Sequence, residues 1–176
     1  VESAFYNASG NIDNLILAGV GASGVSLSGD VRTADIRTLY SRGDITGNLM
    51  LTGTLHYLNA GYSAPADVSG DISAAAANFF FINGSVRGDV TIADRLFFAR
   101  TAGDLSGSLT AGSIKYLNVG GSVTGSVLSA TTIKNAVISG NLTGRLESRG
   151  DMDYVAVQGM VDGATIASRA SILNMT

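Results

Sequence analysis

Seven positions at a near-constant interval, Thr38, Tyr57, Phe79, Phe98, Tyr116, Asn135 and Tyr154, carry an aromatic side chain five times. Phe80, Phe81 and Phe97 flank them. Rings recurring in this way either pack on one another across neighbouring units, in a core or at a corner, or form a contiguous surface patch for self-association or for stacking on sugars. Both faces of the chain are aromatic near Phe79–Phe81 and Phe97–Phe98, so at least one of them is expected to be exposed or covered by a neighbour. This is the candidate contact region.

Other residue types offer less chemistry. His56 is the single histidine and recurs nowhere, which leaves little material for a Ser-His-Asp triad or a histidine metal site. The polar series Asn11, Asp30, Asn48, Asp71, Asp89, Ser108 and Ser126 follows a recurrent glycine, where such side chains bond local backbone and glycine tolerates positive φ. Asp71 and Asp89, stacked ~4.8 Å apart, would repel unless a cation intervened. The nine-residue Gly-Gly-x-Gly-x-Asp pattern of calcium β-rolls is missing, however, and neither a metal nor a cofactor is expected. There is no phosphate-cradling G-x-x-x-x-G-K-[ST] and no cysteine. Arg-Gly-Asp occurs at Arg42–Asp44, Arg87–Asp89 and Arg149–Asp151, at three different phases of the repeat, as frequent glycine turns would produce by chance. Glycosylation sequons stand at Asn7, Asn83, Asn141 and Asn174. No catalytic residue is assigned, and the chain is expected not to be an enzyme.

The element that must position these residues is a repeat. Gly10, Gly29, Gly47, Gly70, Gly88, Gly107, Gly125, Gly144 and Gly163 lie 19, 18, 23, 18, 19, 18, 19 and 19 residues apart, constant but for an insertion of about four residues around Gly61–Pro65. The residues two before and two after each glycine are apolar, from Ala8 and Ile12 to Leu142 and Leu146, with Thr165 the exception; between them lie mostly polar residues. That is the alternation of a half-buried strand. A second apolar group, as in Ile114-Lys-Tyr-Leu-Asn-Val119, completes each unit.

Units this short cannot bury their own apolar face, whereas stacked coils share one core and pair their backbones. The expected fold is therefore all-β, a single parallel β-helix (β-solenoid) domain over 1–176 of about nine coils, right-handed, and ~43 Å long. Residues 1–24 read as a less regular first coil, and 61–65, with the only proline, as a short loop at a corner. The ends look uncapped, which leads to the expectation of a longer parent chain or of ends that stack on other copies.

Composition narrows the partners. Only 14% of residues are charged against a usual ~25%, and the net charge is −3, which argues against nucleic acid or an anionic membrane. No apolar run approaches the ~20 residues of a membrane span. Rods with small, weakly charged surfaces are commonly secreted or displayed on cells, so an extracellular or cell-surface location is expected.

The units GDLSGSLTAGSIKYLNVGGSVTGSVLSA and GDITGNLMLTGTLHYL resemble the glycine-punctuated β-helical repeats of very large bacterial secreted and cell-surface proteins, over roughly 25–176. The G-x-[VIL]-x-G-[DN]-[VIL] phrasing also resembles bactofilins, cytoskeletal β-helices that polymerise end to end without nucleotide. The resemblances imply a non-enzymatic filament, sheath or adhesin stalk that associates with copies of itself, end to end or laterally. The alternatives are a β-helix that binds or cleaves glycans and a cytoskeletal polymer.

Overall fold

A computed structural model describes residues 6–7, 10–18 and 24–176. Among them there is no helix: the chain winds as a parallel β-solenoid of about eight turns, ~38 Å long at the usual strand spacing. Every strand pairs in parallel with its counterpart one coil away. Each coil has three sides. The first is a ladder of single bridges that runs Ile45, Val68, Val86, Leu105, Val123, Leu142, Val161. The second holds strands such as Leu49–Leu51, Ile72–Ala74, Ser126–Ser129 and Arg145–Ser148. The third holds Ile12–Leu17, Ile36–Ser41, Thr54–Ala60, Ala76–Ile82, Ile133–Ile138, Met152–Val157 and Ile172–Met175. Strands Val90–Thr101 and Ser108–Val119 run round the corner joining the last two sides, with a bulge between Ile92 and Arg95.

The apolar residues bracketing each landmark glycine point inward. Ile45, Leu49, Val68, Val123, Val127, Leu142 and Leu146 are fully buried, and with Leu55, Leu58, Leu96, Ile114 and Ile133 from the third side they form one continuous core. Buried hydroxyls at the corners are satisfied: Thr33 Oγ1 donates to Gly10 O, Thr101 Oγ1 to Gly84 O, and Ser148 Oγ to Thr131 O.

Two expectations about the glycines are corrected. Positive φ occurs at Gly24, Gly61 and Gly163, so among the landmark glycines only Gly163 is there for its conformation. From Gly47 to Gly125 the reason is space. Landmark glycines stack directly, and a Cβ on Gly47, Gly70, Gly88, Gly107 or Gly125 would lie 2.6–2.8 Å from the carbonyl carbon of the landmark glycine one coil earlier. Gly144 is equally closed, with Thr124 C 2.8 Å away. Gly10 does not belong to the series. Tyr6 pairs with Val31 and Ile12 with Ile36, which puts Gly10 at the corner before the third side, with nothing within 4 Å of its Cβ position. Gly-x-Ile imitates the landmark pattern there, and the turns, about eight, are close to the nine expected. Ala8 and residues 19–23 of the first coil lie outside the described residues.

Candidate functional site

The third side carries the aromatic series. Its strands do not alternate strictly: in Thr54–Ala60, His56 and Tyr57 both face outward between buried Leu55 and Leu58, and Asn59 faces outward before buried Ala60. Every coil therefore presents three outward columns. The middle one holds Thr38, Tyr57, Phe79, Phe98, Tyr116, Asn135 and Tyr154, and backbone pairing places Tyr57, Phe79, Phe98, Tyr116, Asn135 and Tyr154 in one register. The preceding column includes His56, Asn78, Phe97, Lys115 and Lys134; the following one includes Tyr40, Asn59, Phe81 and Arg100.

Rings from all three columns meet. Tyr40 lies 5.5 Å from Tyr57, Tyr57 5.6 Å from Phe81, Phe81 5.3 Å from Phe98 and 6.4 Å from Phe79, and Phe79 5.7 Å from Phe97. Phe97 and Phe98 both reach Tyr116, at 6.2 and 6.4 Å. Phe79 and Phe81 lie parallel, and the other pairs make tilted or edge contacts. Phe79 and Tyr116 are each 41% exposed. Phe80 is corrected to the core, where it is 4% exposed, because it follows the second outward residue and turns back inside. Tyr154 shares the column, but Asn135 separates it from Tyr116 in the register.

Two members of the cluster escaped the sequence reading. Tyr40 sits one column over from the series, and Tyr62 stands in the insertion loop, 6.1 Å from Tyr40 and edge-on. Pro65 and the corner position marked a loop; nothing in the sequence says that Gly61, at φ 79°, folds it back onto the aromatic side.

Cations and amides border the rings. Lys115 Nζ lies 4.4 Å from the centre of Phe97 and 5.5 Å from that of Tyr116, and the Arg95 guanidinium lies 5.6 Å from Phe97, within cation–π range. Asn78 Nδ2 is 3.2 Å from His56 Nδ1, so the histidine is held by an amide. Lys134 pairs with Asp153 at 2.8 Å; that hydrogen bond and charge raise the lysine above its ordinary pKa. An open depression of 260 Å³ lies between the Tyr62 loop and Tyr57, Asn59, Phe81 and Arg100.

The chain matches no protein-family model, no curated protein and no solved structure.

The recurrent Asp, Asn and Ser form two rails along the edges of the bridge ladder. In one, Asp44 Oδ1 accepts from Asp67 N (2.8 Å), Asp67 Oδ1 from Ser85 N (2.7 Å) and Ser85 Oγ from Asp104 N (3.1 Å). It continues as Asp104 Oδ1 accepts from Ser122 N (2.7 Å), Ser122 Oγ from Asn141 N (3.0 Å) and Asn141 Oδ1 from Met160 N (2.9 Å). In the other, Asp30, Asn48, Asp71 and Asp89 accept in turn from the N–H of Asn48, Asp71, Asp89 and Ser108. Asp71 and Asp89 are thus not a repelling pair awaiting a cation: the carboxylate of one binds the backbone of the other. Among the described residues no group of three or more His, Cys, Asp or Glu could hold a metal ion. Burial would raise the pKa of Asp67, but the N–H of Ser85 and the guanidinium of Arg87, 2.7 Å away, outweigh it and hold the carboxyl below its ordinary value.

The same rails absorb other motifs. The Arg-Gly-Asp aspartates Asp44, Asp89 and Asp151 all accept an N–H from the next coil. The sequon residue Asn141 is a rung, whereas Asn83 and Asn174 are exposed and donate to carbonyls of the preceding coil. The side chain of Asn7 lies outside the described residues. Among the described residues no helix is long and apolar enough to cross a membrane.

Proposed function

We propose that this chain is a non-enzymatic structural rod, an extracellular filament, sheath or adhesin stalk, that associates with copies of itself through its aromatic flank. The observation carrying the proposal is the contiguous patch of Tyr40, Tyr57, Tyr62, Phe79, Phe81, Phe97, Phe98 and Tyr116 on the outside of the solenoid. A chain that needed these rings only for stability would place them inside, as it does Phe80. Tyr62, Phe79 and Tyr116 are exposed and the other rings half-buried; a contiguous patch of this kind marks a contact site, and a rigid coil stack holds it at low entropic cost. The non-enzymatic reading is supported by the amide partner of His56 and by the use of the recurrent carboxylates as backbone acceptors.

Sedimentation velocity and electron microscopy test it. Lateral bundles that grow with concentration and vanish in Phe79→Ser/Tyr116→Ser are expected; a wild-type rod that stays monomeric at every concentration rules the proposal out. The hydrogen-bonding border of Asn59, Asn78, His56 and Arg100 favours a second reading, in which the rings stack on sugars. Binding on a glycan array, lost in Phe98→Ala and Tyr116→Ala, would support that alternative.

A further inference from the structure

We infer that the aromatic flank of one rod docks on the carboxylate rails of another, so that lateral association is heterologous and open-ended. This rests on the self-association proposed above and names the surface that receives the flank. The chain is net negative, and six of its carboxylates stand on the rails. On the rails Asp71, Asp89 and Asp104 are exposed and Asp30, Asp44 and Asp67 partly so; each uses Oδ1 on the next coil's backbone, and Oδ2, which on Asp67 holds Arg87, is left for an outside partner on the other five. Arg87 pairs with Asp67. The flank is the reverse. Arg95, Arg100 and Lys115 have no carboxylate within ion-pair distance, since the ion pairs among the described residues join Arg87 to Asp67, Lys134 to Asp153 and Arg145 to Glu147. On the two strands that bear these cations the single carboxylate is Asp94, at the bulged corner.

Lys115 and Arg95 rest on ring faces, which fixes their position without cancelling their charge. Carboxylates from outside complete both requirements, covering the rings and pairing the cations. The geometry adds a periodic match. Arg100 and Lys115 stand on successive coils, as do Asp71 and Asp89, so at the common rise of ~4.8 Å two cations of one rod meet two rungs of the other. Because flank and rails lie on different sides of the coil, the contact is heterologous, and a rod that has filled one surface still presents the other.

The test uses two blocked forms of the full chain. Arg100→Glu/Lys115→Glu reverses the flank and leaves the rails; Asp71→Asn/Asp89→Asn/Asp104→Asn neutralises the three exposed rail carboxylates but keeps an acceptor on each rung, so that folding is spared. In sedimentation velocity the wild type is expected to assemble less readily as salt rises, because the screening length falls from about 10 Å at 0.1 M to about 3 Å at 1 M. Each variant alone is expected to need about tenfold more protein to assemble. Their equimolar mixture should form pairs that stop at two copies, since one partner supplies rails and the other a flank. Should the rail variant assemble like the wild type while the flank variant does not, the inference falls and self-association through the flank survives. A wild type that remains monomeric overturns both, and retention of that monomer on an acidic polysaccharide through Arg100 and Lys115 would assign the flank to a glycan instead.

Discussion

Replacing Gly107 by alanine isolates the cost of the glycine stack. The new Cβ would lie 2.6 Å from Arg87 O and 2.8 Å from Gly88 C. Both obstacles are backbone, which cannot rotate away as a side chain would, so two coils must part. Overpacking costs about 1–3 kcal/mol, and the stiffer unfolded chain returns about 0.4–1 kcal/mol, for a net loss of about 1.3 kcal/mol. For a chain of this length that corresponds to a fall of roughly 3–5 °C in Tm. Two companions calibrate it. Gly163→Ala meets nothing within 4 Å but must hold φ 62°, at about 1 kcal/mol. Gly10→Ala has open space and no positive φ, so it should be neutral or slightly stabilising. Urea unfolding followed by circular dichroism gives the order, and amide exchange locates it: the N–H groups of Ser106 and Thr124, which bond Val86 O and Leu105 O, should exchange faster in Gly107→Ala alone. If Gly107→Ala and Gly10→Ala agree within about 0.5 kcal/mol, close stacking is not why these glycines recur.

Phe80→Ala should cost about 3–5 kcal/mol as a core truncation, and Phe79→Ala, 41% exposed, no more than about 1 kcal/mol; equal losses in urea titration would mean that the two sides of this strand have been confused. Asp104→Ala should cost about 1 kcal/mol by orphaning the N–H of Ser122, whereas Asp104→Asn should be nearly silent because Asn141 already fills the same role. The lowered pKa of Asp67 means that its ionised form is favoured by folding, so its stabilisation is fully present above the ordinary carboxylate value of 3.8 and is lost as pH falls through the lower folded value. Asp67→Asn should therefore narrow its stability gap to the wild type on acidification below about pH 4, and a gap that is constant with pH would contradict that role. The raised pKa of Lys134 acts at the other limb, its stabilisation being present below the ordinary 10.5 and lost as pH rises through the higher folded value; Lys134→Met should abolish that alkaline loss.

The register of the aromatic column was readable in the sequence because a coil of fixed length puts equal offsets side by side, and Tyr57, Phe79, Phe98 and Tyr116 obey it through an insertion of four or so residues. What was not readable is which way a ring points. Period-two alternation decides that in a flat strand, but here two successive outward residues break the count, sending Phe97 and Phe98 out together and Phe80 in. Gly10 was misplaced for a related reason: a glycine two residues before an isoleucine looks the same at a landmark as at a corner, and only pairing of Ile12 with Ile36 separates them. The carboxylate series was visible as a column, but its purpose was not, since a stack of aspartates reads as a charge conflict until the intervening N–H groups have positions.

The rails also give the rod a direction. In every rung the accepting side chain belongs to the earlier coil and the N–H to the later one. A partly wound chain advancing from its N-terminal side meets the incoming segment with carboxylates, amides and hydroxyls, which water solvates while they wait. Advancing the other way, the rung N–H groups would wait for their acceptors instead, and in either direction ladder amides such as Val86 N, which bonds Asp104 O, also await a partner. Synthesis delivers the coils from the N-terminal side. Each finished coil is then a template that fixes the alignment of its successor, which matters in a chain whose turns resemble one another so closely that a slip of one whole repeat would still bury leucine against valine.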